Sequence, residues 1–465
     1  MSEFLREISR RDLLAGSAAA ASGLLAAGLR AEQGPAIRRR ASPNEKLNIA
    51  VVAAGCRGAD VLQGVSTENI LALCDCDFRN AAESFKRFPE AKRYQDWRKM
   101  LEAEQNHLDA VVVATPDHNH AIISIHAMKL GKHVYCEKPL AHSIWEARQM
   151  ARAAAENKVA TQMGTQGHAF EGTRQAVEVI RSGAIGEVRE LHVWTDRPKG
   201  WWPQGVPRPS DTQPVPDGLD WDVWLGPAPY RPYNSIYVPF KWRGRWDFGT
   251  GAIGDMGIHN LDTAFWALEL AAPTRVEIKD CSPATDSPEM QESAPLWAIL
   301  ELHFPARGDK PPVKMTWYDG GKLPPQDLLM GEPVPAHDGG SLVIGSKGTL
   351  LTRTWHGGEN KKDWFVLLPR RQFEGYGPPA PTLPRVKTAQ GQSGHHQEWI
   401  AACKGQGKPL SNFAYASVLT ESLLLGNVAL RAGKTIEWDP DNMRAAGYPQ
   451  ADPFIRPRFR EGWAL

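Results

Sequence analysis

At 465 residues the chain is too long for one compact domain and suits two or three. Its 54 Lys+Arg and 53 Asp+Glu give a net charge of +1, which argues against a nucleic-acid binder's basic excess and against an acidic disordered tail. Hydrophobic content of 42% and charged content of 23% describe a soluble globular protein, but 17 Trp outnumber 14 Phe and 9 Tyr, and 36 Pro with 42 Gly imply long, shaped loops.

In chain order, Ser9-Arg10-Arg11-Asp12-Leu13-Leu14 precedes a mild Ala/Gly-rich apolar run to about Gly28. This pattern predicts a Tat export signal and a periplasmic location. The run is too short for a stable membrane span. Residues 1–43, including Arg38-Arg39-Arg40, are set aside as signal and linker. From 44 to 165, short apolar strands are expected at Lys46–Ala54, Ile70–Cys74, Ala110–Ala114, His133–Cys136 and Val159–Met163, with a helix near His120–Leu130. Strands alternating with helical stretches predict an α/β fold with a doubly wound parallel sheet that binds a nucleotide. Residues 166–465 read as a second α/β domain. It should carry helices at Gly172–Ser182, Gly257–Leu270, Glu398–Cys403 and Ala416–Arg431, and a large, mostly antiparallel sheet. Residues 197–249 read as Pro/Gly/Trp-rich loop. The six cysteines form no C-x-x-C pair, so mostly free, buried thiols are expected and no metal site.

Three motifs carry chemistry. After the first strand, Ala53-Ala54-Gly55-Cys56-Arg57-Gly58 follows the G-x-G-x-x-G pattern with Ala in the first glycine position. Such a turn brings backbone N–H groups to a pyrophosphate. Asp75 ends the second strand, where an acid would bind ribose hydroxyls. An acid there repels a 2′-phosphate and favours NAD, while nearby Arg79 keeps NADP open. Glu137-Lys138-Pro139 ends the next-to-last strand of this region, where ligands of open parallel sheets sit. In Gly249-Thr250-Gly251-Ala252-Ile253-Gly254-Asp255-Met256-Gly257-Ile258-His259, Asp255 and His259 are four apart and share a face if the helix starts near Asp255. Histidine suits proton transfer near neutral pH. Taken alone, the pair is equally an N-cap and a core histidine.

The ordered set of these motifs, with Ala114-Thr115-Pro116-Asp117-His118-Asn119-His120 and Ile344-Gly345-Ser346-Lys347-Gly348-Thr349-Leu350, resembles the Gfo/Idh/MocA oxidoreductases over nearly all of 44–465. The resemblance implies a Rossmann domain followed by an α/β domain whose open sheet mediates homo-oligomers. It implies bound NAD, held by Ala53, Gly55, Cys56, Arg57, Gly58, Asp75, Thr115, Pro116, His118, His120, Glu137 and Lys138. It implies that Lys138 bonds the reacting hydroxyl, His259 takes its proton and Asp255 holds the sugar and the histidine. Asp117-His118-Asn119-His120 therefore falls on a cofactor loop, with no metal expected. His395-His396 is expected to be structural.

Eight of the 17 Trp lie between Trp194 and Trp266. Indole faces stack on sugar C–H faces, so Trp201, Trp202 and Trp246 are candidate substrate contacts, and Asp220 and Asp222 candidate hydroxyl acceptors. Loop anchoring is the competing role for these rings. The expected partner is a small carbohydrate, with neither nucleic acid nor membrane. A periplasm offers little free NAD, so the cofactor should stay bound and be recycled. Three functions remain open: a sugar oxidoreductase, a redox-neutral NAD-dependent glycosidase, and a non-catalytic NAD- or sugar-binding protein.

Overall fold

A computed structural model describes residues 45–335, 339–353, 365–391 and 394–465. The twin-arginine segment and the linker lie outside the described residues. Six strands form the first sheet: β1 (Asn48–Val52), β2 (Asn69–Cys74), β3 (Lys92–Tyr94), β4 (Ala110–Val113), β5 (His133–Glu137) and β6 (Thr161–Gly164). All pair in parallel, in the order β3-β2-β1-β4-β5-β6. The Ala-Val-Val-Val of β4 is buried throughout, as a strand covered on both faces requires. Strand β3 and the helices Ala82–Arg87 and Trp97–Glu104 were not expected. Strand β3 is mostly exposed and both helices are short, although Trp97, Met100, Leu101 and Glu104 repeat on one buried helical face.

The second sheet has nine strands: β7 (Val188–Trp194), β8 (Arg275–Ser282), β9 (Trp297–Phe304), β10 (Val313–Tyr318), β11 (Gly340–Gly345), β12 (Gly348–Arg353), β13 (Phe365–Leu368), β14 (Ile436–Asp439) and β15 (Arg444–Ala445). Their order is β13-β12-β11-β7-β10-β9-β8-β14-β15, antiparallel except between β7 and β10. Along β9, buried and half-buried residues alternate, so one face packs on the core and the other stays open.

Two helices cover the buried face. Gly251–Leu268 starts six residues before the expected Gly257, capped at Thr250. Its glycines disguise the start, but they serve packing. A Cβ on Gly257 would lie 2.8 Å from Leu423 of the neighbouring helix Phe413–Ala432. That neighbour is long and apolar enough to cross a membrane, yet 83% of its apolar window is buried inside the fold.

The chain does not divide cleanly at 165. Trp399, Ile400 and Cys403 of the helix His395–Cys403 join the same core cluster as Ile49, Val51 and Val112 of the parallel sheet. A segment expected in the second domain thus returns to cover the first.

Candidate active site

A cleft of about 430 Å³ follows the carboxyl ends of the parallel strands. Four of its walls come from turns after β1, β2, β4 and β5, the place where open α/β sheets bind ligands. After β1, Ala53 and Cys56 both adopt positive φ, 64° and 44°. Gly58 does not line the cleft. It packs the helix Arg57–Val65 onto the turn so tightly that a Cβ would sit 1.7 Å from the Ala53 carbonyl oxygen. This close approach is what the third glycine of a dinucleotide turn provides. Asp75 lines the cleft with only 4% exposure. One of its carboxylate oxygens accepts from the Gly55 N–H at 3.0 Å and the other from Asp77 N–H at 2.9 Å. Burial pushes its pKa up to about 6. Thr115 Oγ1, also in the cleft wall, is buried without a hydrogen-bond partner. A positive helix end, an acid at the tip of β2 and an orphaned hydroxyl together fit a bound dinucleotide.

At the other end of the cleft, Lys138 follows β5 across a cis peptide to Pro139. Its Nζ donates to Asp255 Oδ1 and to the Asp255 carbonyl, both at 2.8 Å. Asp255 lies inside the Gly251–Leu268 helix, not at its cap. Asp255, His259 and Trp266 are the residues of that helix that are not fully buried. Asp255 and His259 share the face turned to the cleft. Burial alone would raise the Asp255 carboxyl, but Lys138 and Arg243 outweigh it and hold the pKa at about 2. Burial first, and then the Lys138 ammonium, push His259 well below 6.5. The ring is therefore neutral at pH 7 and ready to accept a proton. His259 Nδ1 lies 3.2 Å from Thr165 Oγ1, in the turn after β6.

Other expected cofactor residues divide. Ala53, Gly55, Cys56, Arg57, Thr115, Pro116 and Glu137 line the cleft. His118 and His120 do not; they brace it from behind. The His118 ring packs between Trp224 and Phe248, and burial holds its pKa at about 3. His120 places one ring nitrogen 2.8 Å from the Pro139 carbonyl and the other 2.8 Å from the Thr115 carbonyl, tying two cleft loops together. His395 meets the Met163 carbonyl at 3.0 Å and His396 stacks on Tyr135.

Trp201 and Trp202 line the cleft, the first half-exposed, the second buried. Trp246 does not. Its indole is buried and donates to the Met290 carbonyl at 2.9 Å. Asp220 caps the short helix Trp221–Leu225 through the Val223 N–H, and Asp222 pairs with Arg460, so neither is a hydroxyl acceptor in the cleft. Conversely, Gln166, Arg197 and Arg243 line the cleft without having been anticipated. Gln166 donates to Glu137 Oε1 at 3.0 Å, and Arg243 Nε reaches Asp255 Oδ1 at 3.3 Å. No motif surrounds them, so only the fold could place them.

Comparison with known proteins matches the same two halves. Residues 47–165 match the oxidoreductase family's NAD-binding Rossmann fold, and residues 174–292 its C-terminal alpha/beta domain. The chain belongs to the Gfo/Idh/MocA oxidoreductase family, and its N-terminal domain is an NAD-binding Rossmann domain. It is 29% identical over 185 residues to levoglucosan dehydrogenase from Pseudarthrobacter phenanthrenivorans, which is 40% of this chain and 38% of that protein. It is 30% identical over 156 residues to 2,7-anhydro-N-acetylneuraminate hydratase from Escherichia coli, 33% of this chain and 40% of that one. Each match spans less than half of the relative. The fold is shared at greater length with an inositol dehydrogenase homolog from Azotobacter vinelandii complexed with NADH and myo-inositol, at TM-score 0.56 and 17% identity, covering 86% of this chain and 100% of that one.

Proposed function

We propose that the protein is an NAD-dependent oxidoreductase that removes a hydride from a hydroxyl-bearing carbon of a sugar or glycoside. The observation that carries this reading is the Lys138–Asp255–His259 cluster, set in the same cleft as the Gly55 turn and Asp75. Ala53, Gly55, Arg57, Asp75 and Thr115 would hold the cofactor. When bound, NAD supplies the two-electron acceptor for that carbon. Lys138 donates to the reacting oxygen and stabilises its developing negative charge. Neutral His259 takes the hydroxyl proton. Asp255 keeps the Lys138 ammonium in place and accepts from a neighbouring hydroxyl.

Purified protein given NAD and a panel of sugars should form NADH, and Lys138→Met should stop it while NAD binding persists. Unchanged turnover in Lys138→Met would remove the proposed site. The hydratase relative supports a second reading, a redox-neutral reaction that breaks a glycosidic bond. Release of phenol from an aryl glycoside without net NADH would favour it. The reading includes export through the twin-arginine route, with the protein acting in the periplasm. Arg10→Lys with Arg11→Lys should then trap the precursor in the cytoplasm. It also includes a homo-oligomer built on the open face of the second sheet. Light scattering should report a mass that is a multiple of the processed subunit, which is below the 51.4 kDa of the full chain.

A further inference from the structure

His259 borders two cavities. It lines the cleft, and it lines a second, smaller cavity of about 30 Å³. It is the one described residue common to both. The second cavity lies among the turn after β6, the helices Glu171–Arg181 and Gly251–Leu268, and the end of β12. Thr165, Thr173, Asp262 and Arg353 give it a polar lining. Asp262 is held in place, with Oδ1 accepting from the Tyr415 hydroxyl at 2.6 Å and Oδ2 lying 2.8 Å from His168 Nδ1. Arg353 Nε is buried without a hydrogen-bond partner. A buried water needs about 10–15 Å³ and two to four polar neighbours, so the cavity suits one or two waters.

Oxidising a hydroxyl releases a proton as well as a hydride, and His259 receives the proton. Burial and then the Lys138 ammonium push the His259 pKa well below 6.5, so the imidazolium must discharge quickly. The cleft is a poor exit, because Lys138 and Arg243 are both cations lining it. The other direction is open. His259 Nδ1 lies 3.2 Å from Thr165 Oγ1, within hydrogen-bond reach, and Thr165 lines the second cavity. A hydroxyl can accept one proton while donating another, which a carbonyl or an amide nitrogen in the same place could not do.

We propose that the substrate's proton leaves the cleft through His259, Thr165 and water in the second cavity. The substrate O–H bond breaks and its proton binds His259 Nε2. The Nδ1–H bond then breaks as Thr165 Oγ1 takes that proton, and the Thr165 O–H gives its own to the water beyond. Asp262 stabilises the positive charge there, and Arg353 Nε holds the water oxygen. When a carbonyl is reduced instead, the path runs backwards and returns the ring's hydrogen to Nδ1. This inference rests on the oxidoreductase reading of the same cleft and adds the route its proton takes.

The test uses full-length protein saturated with NAD, mixed with D-glucose, myo-inositol or levoglucosan, and follows a single turnover by NADH absorbance. The fastest sugar is then compared with its perdeuterated form, in H₂O and in D₂O. Thr165→Val keeps the side chain's shape and removes the hydroxyl. It should slow NADH formation by about 10-fold or more. Its D₂O effect should rise and its C–D effect shrink, because proton release becomes the slow step. Imidazole buffer should speed the variant and not the wild type, Thr165→Ser should recover most of the rate, and NAD affinity should not move. Should Thr165→Val not fold, Thr173→Ile narrows the cavity without touching His259 and should give the same isotope signature. The inference is overturned by a Thr165→Val rate equal to wild type. It is equally overturned by a slower variant with an undiminished C–D effect and no rescue by imidazole, which is the mark of a merely misplaced ring, or by a high-resolution crystal structure with a dry cavity. A wild type that forms no NADH from any sugar loses the oxidoreductase reading and the relay together. An active wild type with an unchanged Thr165→Val loses the relay alone.

Discussion

The cofactor half and the tryptophan-rich stretch 197–249 face one cleft but are built on opposite principles. In the first, function follows backbone. Turns at the ends of parallel strands place Gly55, Asp75, Thr115 and Lys138, and each turn is fixed by the buried strand before it. The second has one short α-helix, Trp221–Leu225, and one 3-10 turn, Lys241–Gly244. Side chains hold it instead. Trp221 stacks on Trp224 with ring centroids 4.7 Å apart, and Phe248 meets Trp224 edge-on at 4.7 Å. Arg231 and Arg245, almost fully buried, converge on Glu292 at 2.7 and 3.3 Å. Most indoles in the stretch are thus mortar, and the cleft receives Trp201, Trp202, Trp224 and Trp242 as one surface of that packing.

The largest expected effect tests whether the two halves meet in one reaction. Lys138→Met should lower kcat by about 10³-fold, the upper range for removing one donor to a developing oxyanion. Loss of the ammonium also leaves the buried Asp255 carboxylate with Arg243 alone, so the variant should unfold at a lower temperature yet still bind NAD. The pH profile belongs to the same test. His259 must be neutral to accept a proton, and its pKa is lowered. Activity should therefore hold as pH falls through 6.5 and fail only in more acidic buffer. A profile that collapses at the ordinary histidine pKa would assign the base elsewhere.

Next is the anchor of the aromatic stretch. Glu292→Gln leaves the buried Arg245 guanidinium without its carboxylate and Arg231 with Asp247 alone. Breaking such a pair costs about 3–5 kcal/mol. Urea titration should show the loss, with indole emission shifting red before the cofactor half unfolds. NAD affinity should survive. Loss of NAD binding together with the emission change would mean that the two halves are not separable.

The cofactor half breaks at Gly58. In Gly58→Ala the new Cβ meets the Ala53 carbonyl at 1.7 Å, so the helix Arg57–Val65 must withdraw from the turn. NAD affinity should fall by about 10-fold or more, as when about 1.4 kcal/mol of binding is lost. Calorimetry with NAD alone measures this, and an unchanged affinity would disprove the tight turn.

The same contrast explains what could be read from the chain. Turns that follow strands are local in sequence, so Gly55, Asp75, Lys138 and the Asp255/His259 spacing all stood out. Side-chain direction in an irregular stretch is not periodic. Trp246 and Trp202 therefore looked alike, although one is buried on Met290 and the other lines the cleft. Arg197 and Arg243 carried no signal, because their roles depend on partners such as Asp255 that only the fold brings near. His118 and His120 misled for a related reason. Their loop borders the cleft, but their rings turn inward, toward Trp224 and Phe248 and toward the Pro139 carbonyl.

The smallest expected effect bears on how much the strands dictate. Ala53 stands where the dinucleotide pattern has its first glycine, and it adopts φ 64°. A left-handed conformation costs an L-residue about 1–2 kcal/mol that glycine does not incur. Its N–H still donates to the Cys74 carbonyl at 2.8 Å, so the neighbouring strand holds the turn in shape despite the strain. Ala53→Gly should therefore stabilise the protein by up to about 1 kcal/mol, partly offset by the glycine's greater freedom when unfolded. NAD affinity should stay the same or improve slightly. A destabilised variant would show that the Ala53 methyl group packs usefully, and that the turn owes its form to side chains as the aromatic stretch does.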